Sequence, residues 1–370
     1  MSKEFCHYVV FAAGGTGGHL FPAIAVAGEL RRRHPDATIV FVGGTRGLET
    51  RLVPAAGFPL RTLPVAGLKG TKLFARIVAS GAAALAVFRC SGWFLARRPD
   101  LVVGAGGYAS GPAVLAAWLL RVPTMLMEQN HFPGATNRWL APRANAVCVP
   151  SQAAQARLGG IGLVTGNPVR PEFAAIGPSP NEERLGLLVF GGSRGARSIN
   201  RAVVAALPRL AEMTPPPRIV HQTGPEESEA VARAYAAHPG LTADVRPFLD
   251  DMSQRLAAAD LIVCRAGATT LAELAAAGRP AILVPYPFAS DDHQRANAEA
   301  VRDAGAAVMI EDRAFDGPRC AEEIAGLAID RPRRDRMAAA ARTLARPDAA
   351  ERIADVAEAL LEGREAPHVP

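Results

Sequence analysis

Short, continuous apolar runs alternate with longer segments of helical period along most of the chain. Continuous runs, rather than alternating ones, are typical of strands that are buried on both faces of a parallel sheet. Because the segments between them are long enough for helices, the pattern predicts βαβ units and an α/β fold. The predicted strands cover residues 7–13, 38–42, 101–103, 124–127, 147–150 and 162–165, and then 184–190, 218–221, 245–249, 261–263 and 281–284.

This pattern is broken at residues 165–170 (TGNPVR), after which a new series of strands and helices begins. A chain of 370 residues is long enough for two domains of ordinary size. We therefore predict two doubly wound, Rossmann-like domains that face each other across a cleft, with the boundary at residues 166 and 167. Such a cleft can bind one substrate on each wall.

The first predicted strand runs into a glycine-rich loop, residues 14–18 (GGTGG). It is not a dinucleotide fingerprint, because Leu20 stands where the third glycine belongs and the second strand does not end in an acid. The bare backbone around Thr16 suits the close approach of a pyrophosphate or a sugar. His19 follows, and a neutral imidazole there could take a proton from an attacking hydroxyl. A helix-capping or packing histidine is the alternative.

Two further glycine-rich loops, residues 104–112 and 191–196, follow predicted strands and precede predicted helices. The loop at 104–112 repeats the arrangement of the first loop on a neighbouring strand, so we expect it to receive a second anionic group. Glu128, Gln129 and Asn130 follow the strand at 124–127, at the strand end where ligands bind in open α/β sheets.

The stretch from 264 to 297 combines three elements of a nucleotide-sugar site. A turn at 265–267 leads into a helix whose first N–H groups, at 268–270, favour an anion. Glu273, one turn further on, is placed to accept hydrogen bonds from ribose hydroxyls. The loop after the next strand carries groups that bind hydroxyls, namely Asp291, Asp292, His293, Gln294 and Asn297. An ordinary strand–loop–helix–strand segment is the alternative interpretation.

The charge is distributed unevenly along the chain. Residues 1–170 contain 18 Lys and Arg against 6 Asp and Glu, whereas the remainder is acidic. A basic half indicates an anionic partner, which is a membrane surface, an anionic substrate or nucleic acid. Aromatic residues are few, at 6%, and no nucleic-acid-binding motif is present, so we expect no nucleic acid partner.

Residues 61–98 are basic and amphipathic, with Lys69, Lys72 and Arg76 beside apolar positions such as Leu73 and Ile77. Such a segment can lie in an anionic lipid interface; a core-facing helix with a basic rim is the alternative. No apolar run reaches the ~20 residues that span a bilayer, and no signal pattern is found, so membrane contact is expected to be peripheral. Five scattered cysteines without CxxC spacing fit a reducing cytoplasm.

Eight motifs occur in order along the chain: GGTGGHLFPA (14–23), GGYASGP (106–112), EQN (128–130), TGNPVR (165–170), FGGSRGA (190–196), FLDDM (248–252), RAGATTLAE (265–273) and HQRANA (293–298). Together they resemble the MurG family of bacterial glycosyltransferases, which add N-acetylglucosamine to lipid I in peptidoglycan synthesis. The resemblance covers most of the chain, from residue 7 to about 310. It implies a GT-B fold, an inverting transfer from UDP-N-acetylglucosamine (UDP-GlcNAc), and a last helix, residues 346–370, that packs back on the first domain.

The resemblance also implies roles for individual residues. In the donor domain, 167–345, Arg170 and Ser193 would contact the diphosphate, and Leu249 would offer its backbone to uracil. The phosphate-binding helix start would comprise Ala268, Thr269, Thr270 and Leu271. Glu273 would hold the ribose, and Gln294 would read the sugar. Asn130 would also read the sugar, and Thr16, Gly17 and Gly18 would reach the donor from the acceptor domain, 1–166. His19 would be the general base, and Tyr108, Ser110 and Glu128 would contact the acceptor.

No Asp-x-Asp follows a strand, and the resemblance implies no metal and no cofactor; the helix start near Ala268 and Arg170 would neutralise the leaving diphosphate. Lipid I, UDP-GlcNAc and an anionic membrane surface are the expected partners, with other cell-wall synthesis proteins as candidates. The expected location is the cytoplasmic face of the plasma (inner) membrane. The alternatives are a UDP-GlcNAc epimerase, a diacylglycerol glycosyltransferase and a non-catalytic nucleotide-sugar sensor.

Overall fold

The structure is a computed structural model that describes residues 7–45, 47–64, 73–179, 183–192 and 195–364. The chain divides into two compact units. Unit 1 contains Met1–Arg170 and Arg346–Pro370, and unit 2 contains Pro171–Ala345.

The elements before residue 165 alternate between strands and helices. In chain order they are β1 (Tyr8–Ala12), α1 (Gly17–Arg33), β2 (Thr38–Gly44), α2 (Glu49–Ala55), β3 (Leu60–Leu63), α3 (Leu73–Ala96), β4 (Leu101–Gly104), α4 (Ser110–Leu119), β5 (Thr124–Met127), α5 (Ala135–Leu140), a 3₁₀ turn (Ala141–Arg143), β6 (Ala146–Val149), α6 (Gln152–Arg157) and β7 (Leu163–Val164).

The same alternation resumes after a short helix. The elements are α7 (Pro171–Ala174), β8 (Gly186–Phe190), α8 (Arg197–Ala211), β9 (Arg218–Gln222), α9 (Ser228–Ala236), β10 (Thr242–Arg246), α10 (Met252–Ala257), β11 (Leu261–Cys264), α11 (Ala268–Ala277), β12 (Ala281–Leu283), a 3₁₀ turn (Ser290–Asp292), α12 (His293–Asp303), β13 (Ala307–Met309), a 3₁₀ turn (Asp312–Ala314), α13 (Gly317–Ile329), α14 (Arg331–Leu344) and α15 (Ala349–Leu361).

Unit 1 is built on a parallel sheet in the order β3-β2-β1-β4-β5-β6-β7. Its strands bury both faces: Val9 and Phe11 of β1 pack under α1 and α15, whereas Val10 and Ala12 pack under α3 and α4. Each fully buried side chain of this kind contributes roughly 1.5–3 kcal/mol. Arg33 of α1 also binds Asp355 and Glu358 of α15, at 2.6 and 2.9 Å. The C-terminal helix is therefore part of the unit 1 core.

Unit 2 is a second parallel sheet, in the order β10-β9-β8-β11-β12-β13. One core cluster joins β8, β9, β11 and β12 to helices α8 and α13. Helix α11 ends at Gly278, whose positive φ of 60° closes the C-terminus in the left-handed conformation. The predicted doubly wound α/β architecture is thereby confirmed.

One local prediction differs from the structure. Strand β10 lies at 242–246 and not at 245–249, because it is a mostly exposed edge strand without a continuous apolar run. Helix α1 begins at Gly17, within the first glycine-rich loop. Asp251 occupies the N-cap position of α10 but makes no cap hydrogen bond; its carboxylate accepts instead from Arg255 Nε at 2.7 Å.

Candidate functional site

The strand order reverses once in each sheet, between β1 and β4 in unit 1 and between β8 and β11 in unit 2. In open α/β sheets, ligands bind beyond the carboxyl ends of the strands at such a switch point. The segments that leave these four strands are the glycine-rich loops at 14–18, 104–112 and 191–196 and the turn at 265–267. The topology therefore places the predicted binding segments at the position where ligands are expected in each unit.

The first glycine-rich loop is held by a carboxylate from a neighbouring helix. Glu49, at the start of α2, is buried, and its Oε1 accepts a hydrogen bond from Gly44 N at 2.7 Å. Its Oε2 accepts from Gly15 N at 3.1 Å, where Gly15 has a φ of 90°. The backbone at Gly15 is thus engaged before any ligand arrives. Glu49 lies five residues beyond Gly44, the last residue of β2, so its place in the sequence does not mark it as a partner of this loop.

His19 lies in the first turn of α1 and contacts the loop that follows β5. Its Nδ1 atom is 2.9 Å from Oε1 of Gln129, in the loop after β5. The second glycine-rich loop packs on the same edge of the ring, because a Cβ atom at Gly106 would lie 2.6 Å from His19 Nδ1. Thr16, Gly17 and Gly18 lie at the N-terminal end of the same helix. The imidazole is therefore fixed on its Nδ1 side. His19 is not a helix cap, because the N-cap residue of α1 is Thr16.

The second glycine-rich loop brings Tyr108 over the first. Tyr108 is 53% exposed, and its ring would lie 3.5 Å from a Cβ atom at Gly15. Ser110 begins α4 and is fully buried, with its Oγ directed at Gly104 of β4. An acceptor contact is compatible with the exposure of Tyr108. For Ser110 it stays a prediction.

Glu128 organises the loop that carries Gln129 and Asn130. Its carboxylate accepts hydrogen bonds from the backbone N–H groups of Gln129, Asn130 and Gly134, at 2.9, 2.8 and 2.9 Å. It also accepts from the side-chain amides of Asn130 and Asn137, at 3.1 and 2.8 Å. Glu128 is buried and its oxygens are engaged within the loop. The predicted contact of Glu128 with the acceptor stays a prediction.

In unit 2, α11 begins directly after the turn at the end of β11. Gly267 is its N-cap residue and supplies no side-chain cap. The first hydrogen bond within the helix runs from Leu271 N to Gly267 O, at 3.0 Å. The N–H groups of Ala268, Thr269 and Thr270 precede it, in the first turn where a helix favours an anion. Glu273 lies in the second turn and is 8% exposed.

Arg265 stabilises the turn before α11 through hydrogen bonds that its guanidinium makes to other residues of unit 2. Its guanidinium donates to the carbonyl oxygens of Val284 and Pro285, both at 3.1 Å. It also donates to Asp312 Oδ1 at 2.5 Å and to Ser198 Oγ at 2.8 Å. This network ties β11, β12 and α8 together beneath the start of α11.

Gln294 is oriented by two backbone groups. Its Oε1 accepts hydrogen bonds from Ala266 N at 3.2 Å and from Tyr286 N at 3.0 Å. Because the carbonyl oxygen is engaged, the Nε2 amide is the part of this side chain that is suited to a ligand, and it can only donate. Asn297, also in α12, is buried and donates to Ala266 O at 3.2 Å. Both side chains therefore fix the turn at 265–267.

The remaining predicted donor contacts are distributed as follows. Ser193 lies outside the described residues. Leu249 is 6% exposed, in the segment between β10 and α10. Arg170, the last residue of the first segment of unit 1, lies with its guanidinium 4.7 Å from the ring centroid of Phe21. The donor roles of these residues stay predictions.

Comparisons with known proteins identify the family. Residues 9–149 match the glycosyltransferase family 28 N-terminal domain, and residues 186–353 match the glycosyltransferase family 28 C-terminal domain. The chain belongs to glycosyltransferase family 28. Among its family 28 relatives is the UDP-N-acetylglucosamine--N-acetylmuramyl-(pentapeptide) pyrophosphoryl-undecaprenol N-acetylglucosamine transferase of Anaeromyxobacter sp. (strain Fw109-5), 46% identical over 96% of this chain and 94% of the relative.

Solved structures agree with this assignment. The crystal structure of Acinetobacter baumannii MurG superposes with a TM-score of 0.77, at 32% identity, over 95% of this chain and 99% of that one. The family 28 fold is therefore GT-B, and the resemblance predicted from the eight motifs is confirmed. A putative UDP-N-acetylglucosamine 2-epimerase from Listeria monocytogenes has a TM-score of 0.70 over 98% of both chains, but at 17% identity it shows only that the fold is shared.

Proposed function

We propose that the protein transfers N-acetylglucosamine from UDP-GlcNAc to the 4-hydroxyl of the N-acetylmuramyl group of lipid I, which gives lipid II and UDP in peptidoglycan synthesis. The observation that supports this most strongly is the 46% identity to a transferase of that name over 96% of the chain. The geometry of the two units provides the parts that the reaction needs.

Unit 2 supplies the donor site in this proposal. The uncapped start of α11 directs N–H groups and the positive end of the helix dipole at the diphosphate. Glu273, one turn further on, accepts hydrogen bonds from the ribose, and Nε2 of Gln294 donates to the sugar. Because charge builds up on the diphosphate as the glycosidic bond breaks, N–H groups fixed in advance at Ala268, Thr269 and Thr270 stabilise the departing UDP.

Unit 1 supplies the base and the acceptor site. His19 is held on its Nδ1 side, which leaves Nε2 to take the proton of the attacking hydroxyl. Tyr108 is exposed on the neighbouring loop, and in this proposal it contacts the acceptor. Arg170, Ser193, Leu249, Asn130, Thr16, Gly17, Gly18 and Ser110 retain the substrate contacts that the motifs imply.

Contact with an anionic membrane surface is proposed for one side of unit 1. No helix among the described residues is long and apolar enough to cross a bilayer. Leu85, Phe88 and Leu95 recur on one face of α3 and are 46, 76 and 73% exposed. Trp118 and Leu119, at the end of α4, which packs against α3, are 43 and 57% exposed. We propose that this apolar face of α3 and α4 docks peripherally on the cytoplasmic leaflet, with exposed Arg89 beside it.

The predicted basic residues Lys69 and Lys72 lie outside the described residues. Their part in membrane binding, together with that of Leu73, Arg76 and Ile77, stays a prediction.

The proposed function is tested by a transfer assay with labelled UDP-GlcNAc and a short-chain lipid I analogue. The expected products are the disaccharide lipid and UDP, formed at the same rate in the presence of a chelator, because the chain's own N–H groups neutralise the leaving diphosphate. An epimerase of the same fold would instead release a 2-epimer without acceptor. A diacylglycerol glycosyltransferase would use diacylglycerol and leave the lipid I analogue unchanged. Either result would overturn the proposal.

A further inference from the structure

The contact between His19 and Gln129 carries information about where the proton on the imidazole lies. The two residues are 110 positions apart, and the Nδ1···Oε1 distance is 2.9 Å. Gln129 is 3% exposed, so the glutamine side of this hydrogen bond is buried. A neutral imidazole has one N–H donor and one acceptor nitrogen, and the partner on one side decides which nitrogen carries the hydrogen.

The orientation of the Gln129 amide is set by the backbone. Its Nε2 donates to Met127 O at 3.3 Å, and a carbonyl oxygen can only accept. The other end of the amide, Oε1, therefore faces His19, and an amide oxygen also can only accept. It follows that Nδ1 of His19 must be the donor. The remaining nitrogen, Nε2, then keeps its lone pair.

The loop around Gln129 is rigid enough to maintain this orientation. The carboxylate of Glu128 accepts from Gln129 N at 2.9 Å and from Asn130 N at 2.8 Å. These two bonds fix the backbone on both sides of the Gln129 Cα atom. Gly106 also approaches the Nδ1 edge of the ring so closely that a Cβ atom would lie 2.6 Å from Nδ1. The ring has little room to turn over and exchange the positions of its two nitrogens.

We propose that Gln129 is a positioning residue that holds His19 in the Nδ1–H tautomer, so that Nε2 is the base of the transfer. This rests on the proposed function. In the step itself, the O–H bond of the acceptor hydroxyl breaks and an Nε2–H bond forms on His19. The hydroxyl oxygen forms the new bond to C1 of N-acetylglucosamine, and the electron pair of the old C1–O bond leaves with UDP. The imidazolium then returns its proton to solvent.

A neutral amide in this position has a different consequence from a carboxylate. A carboxylate beside Nδ1 would also select the Nδ1–H tautomer, but it would stabilise the imidazolium as well. Gln129 selects the tautomer without adding a charge. The substitution Gln129→Glu loses the hydrogen bond to Met127 O but still presents an acceptor to Nδ1, so it keeps the Nδ1–H tautomer and favours the protonated ring. Gln129→Met removes the acceptor with little change in side-chain size.

The experiment uses the full chain labelled with ¹⁵N in its histidines, of which there are eight. A long-range ¹H–¹⁵N spectrum gives the tautomer of each imidazole, and His19→Ala identifies the signals of His19. We expect Nδ1–H for His19 in the unsubstituted protein and in Gln129→Glu, and a shift towards Nε2–H in Gln129→Met. The matched control is Gln155→Met, which removes a glutamine that donates to Gly162 O at 2.7 Å elsewhere in unit 1.

Kinetics of the same variants complete the test. In Gln129→Met, kcat should fall by about tenfold to a hundredfold while the KM for UDP-GlcNAc stays within about twofold, because general base catalysis is lost and donor binding is not. Gln129→Glu should recover much of kcat, with the acidic limb of its pH profile moved to higher pH. Gln155→Met should match the unsubstituted protein in both respects.

Two results would overturn the inference: an Nε2–H tautomer at His19 in the unsubstituted protein, or an unchanged kcat in Gln129→Met while His19→Ala is inactive. The second result leaves the proposed function intact. Failure of the proposed function is recognised separately, because the unsubstituted protein would then form no disaccharide lipid whatever the tautomer of His19.

Discussion

The carboxylate of Glu49 accepts a hydrogen bond from Gly15 N at 3.1 Å, which fixes the backbone of the first glycine-rich loop. A second bond, to Gly44 N at 2.7 Å, ties the same carboxylate to the end of β2. Two backbone N–H groups at the carboxyl edge of the sheet are thus satisfied by one buried side chain. The loop that leads into His19 is therefore shaped before substrate binds.

We expect Glu49→Ala to lower both stability and turnover. The substitution leaves two backbone N–H groups near Gly15 and Gly44 without their acceptor, which costs about 1–3 kcal/mol in the free energy of unfolding. Urea denaturation measures this change, and the transfer assay measures turnover. Glu212→Ala, at an exposed glutamate after α8, is the control and should change stability by less than about 0.5 kcal/mol. Equal behaviour of the two variants would show that Glu49 does not hold the loop.

Gln294→Glu should separate recognition of the sugar from recognition of UDP. Glutamate can still accept from Ala266 N and Tyr286 N, but it lacks the NH₂ group that we assign to the sugar. The KM for UDP-GlcNAc should rise by about tenfold, which corresponds to one lost hydrogen bond of about 1.4 kcal/mol, while the Kd for UDP changes by less than about threefold.

The control for this variant is Gln254→Glu, which makes the same change of charge on an exposed position of α10. It should leave the KM unchanged. Equal weakening of UDP and UDP-GlcNAc by Gln294→Glu would argue against a contact with the sugar.

The double substitution Phe88→Ser with Leu95→Ser should reduce binding to anionic vesicles. These side chains are 76 and 73% exposed on one face of α3, and transfer of a large apolar side chain into lipid contributes roughly 1.5–3 kcal/mol. Vesicle co-sedimentation measures the loss, and turnover on a water-soluble acceptor should be retained. Ile329→Ser, at an 86% exposed position of unit 2, is the control and should bind vesicles normally. Unchanged binding by the double variant would place the membrane contact elsewhere.

Stability should depend on pH through His221. Burial lowers the pKa of His221 from its ordinary value of 6.5 to about 3, and the ring lies between Asn200 and Tyr235 at 3.1 Å from each. Because the unfolded chain binds a proton below about pH 6.5 that the folded chain does not, the free energy of unfolding falls as the pH drops from there towards 3. His221→Gln should lessen this dependence. An identical slope of stability against pH in both proteins, measured by urea denaturation, would contradict it.

The sequence predicts the central strands well because their burial on both faces leaves a continuous apolar run. Strand β5 occupies residues 124–127 as predicted. Edge strands carry no such run: β3 (LRTL) was missed, and β10 (TADVR) was placed three residues too late, since its burial varies along an exposed edge.

Within the candidate site, the chain segments could be predicted but several of their contacts could not. Glycine-rich loops and a helix start are local patterns, so they can be recognised in the sequence. The contact of His19 with Gln129 joins positions 110 residues apart, and that of Glu49 with Gly15 joins positions 34 apart. Such pairs depend on the order of the strands in the sheet, which no local spacing encodes.

The proposed function depends most directly on where the donor binds, and a crystal structure of the protein with UDP measures this. We expect the diphosphate oxygens to lie within hydrogen-bonding distance of the backbone nitrogens of Ala268, Thr269 or Thr270, and the ribose hydroxyls to donate to the carboxylate of Glu273. A diphosphate bound away from the start of α11, or a ribose that does not contact Glu273, would contradict the account.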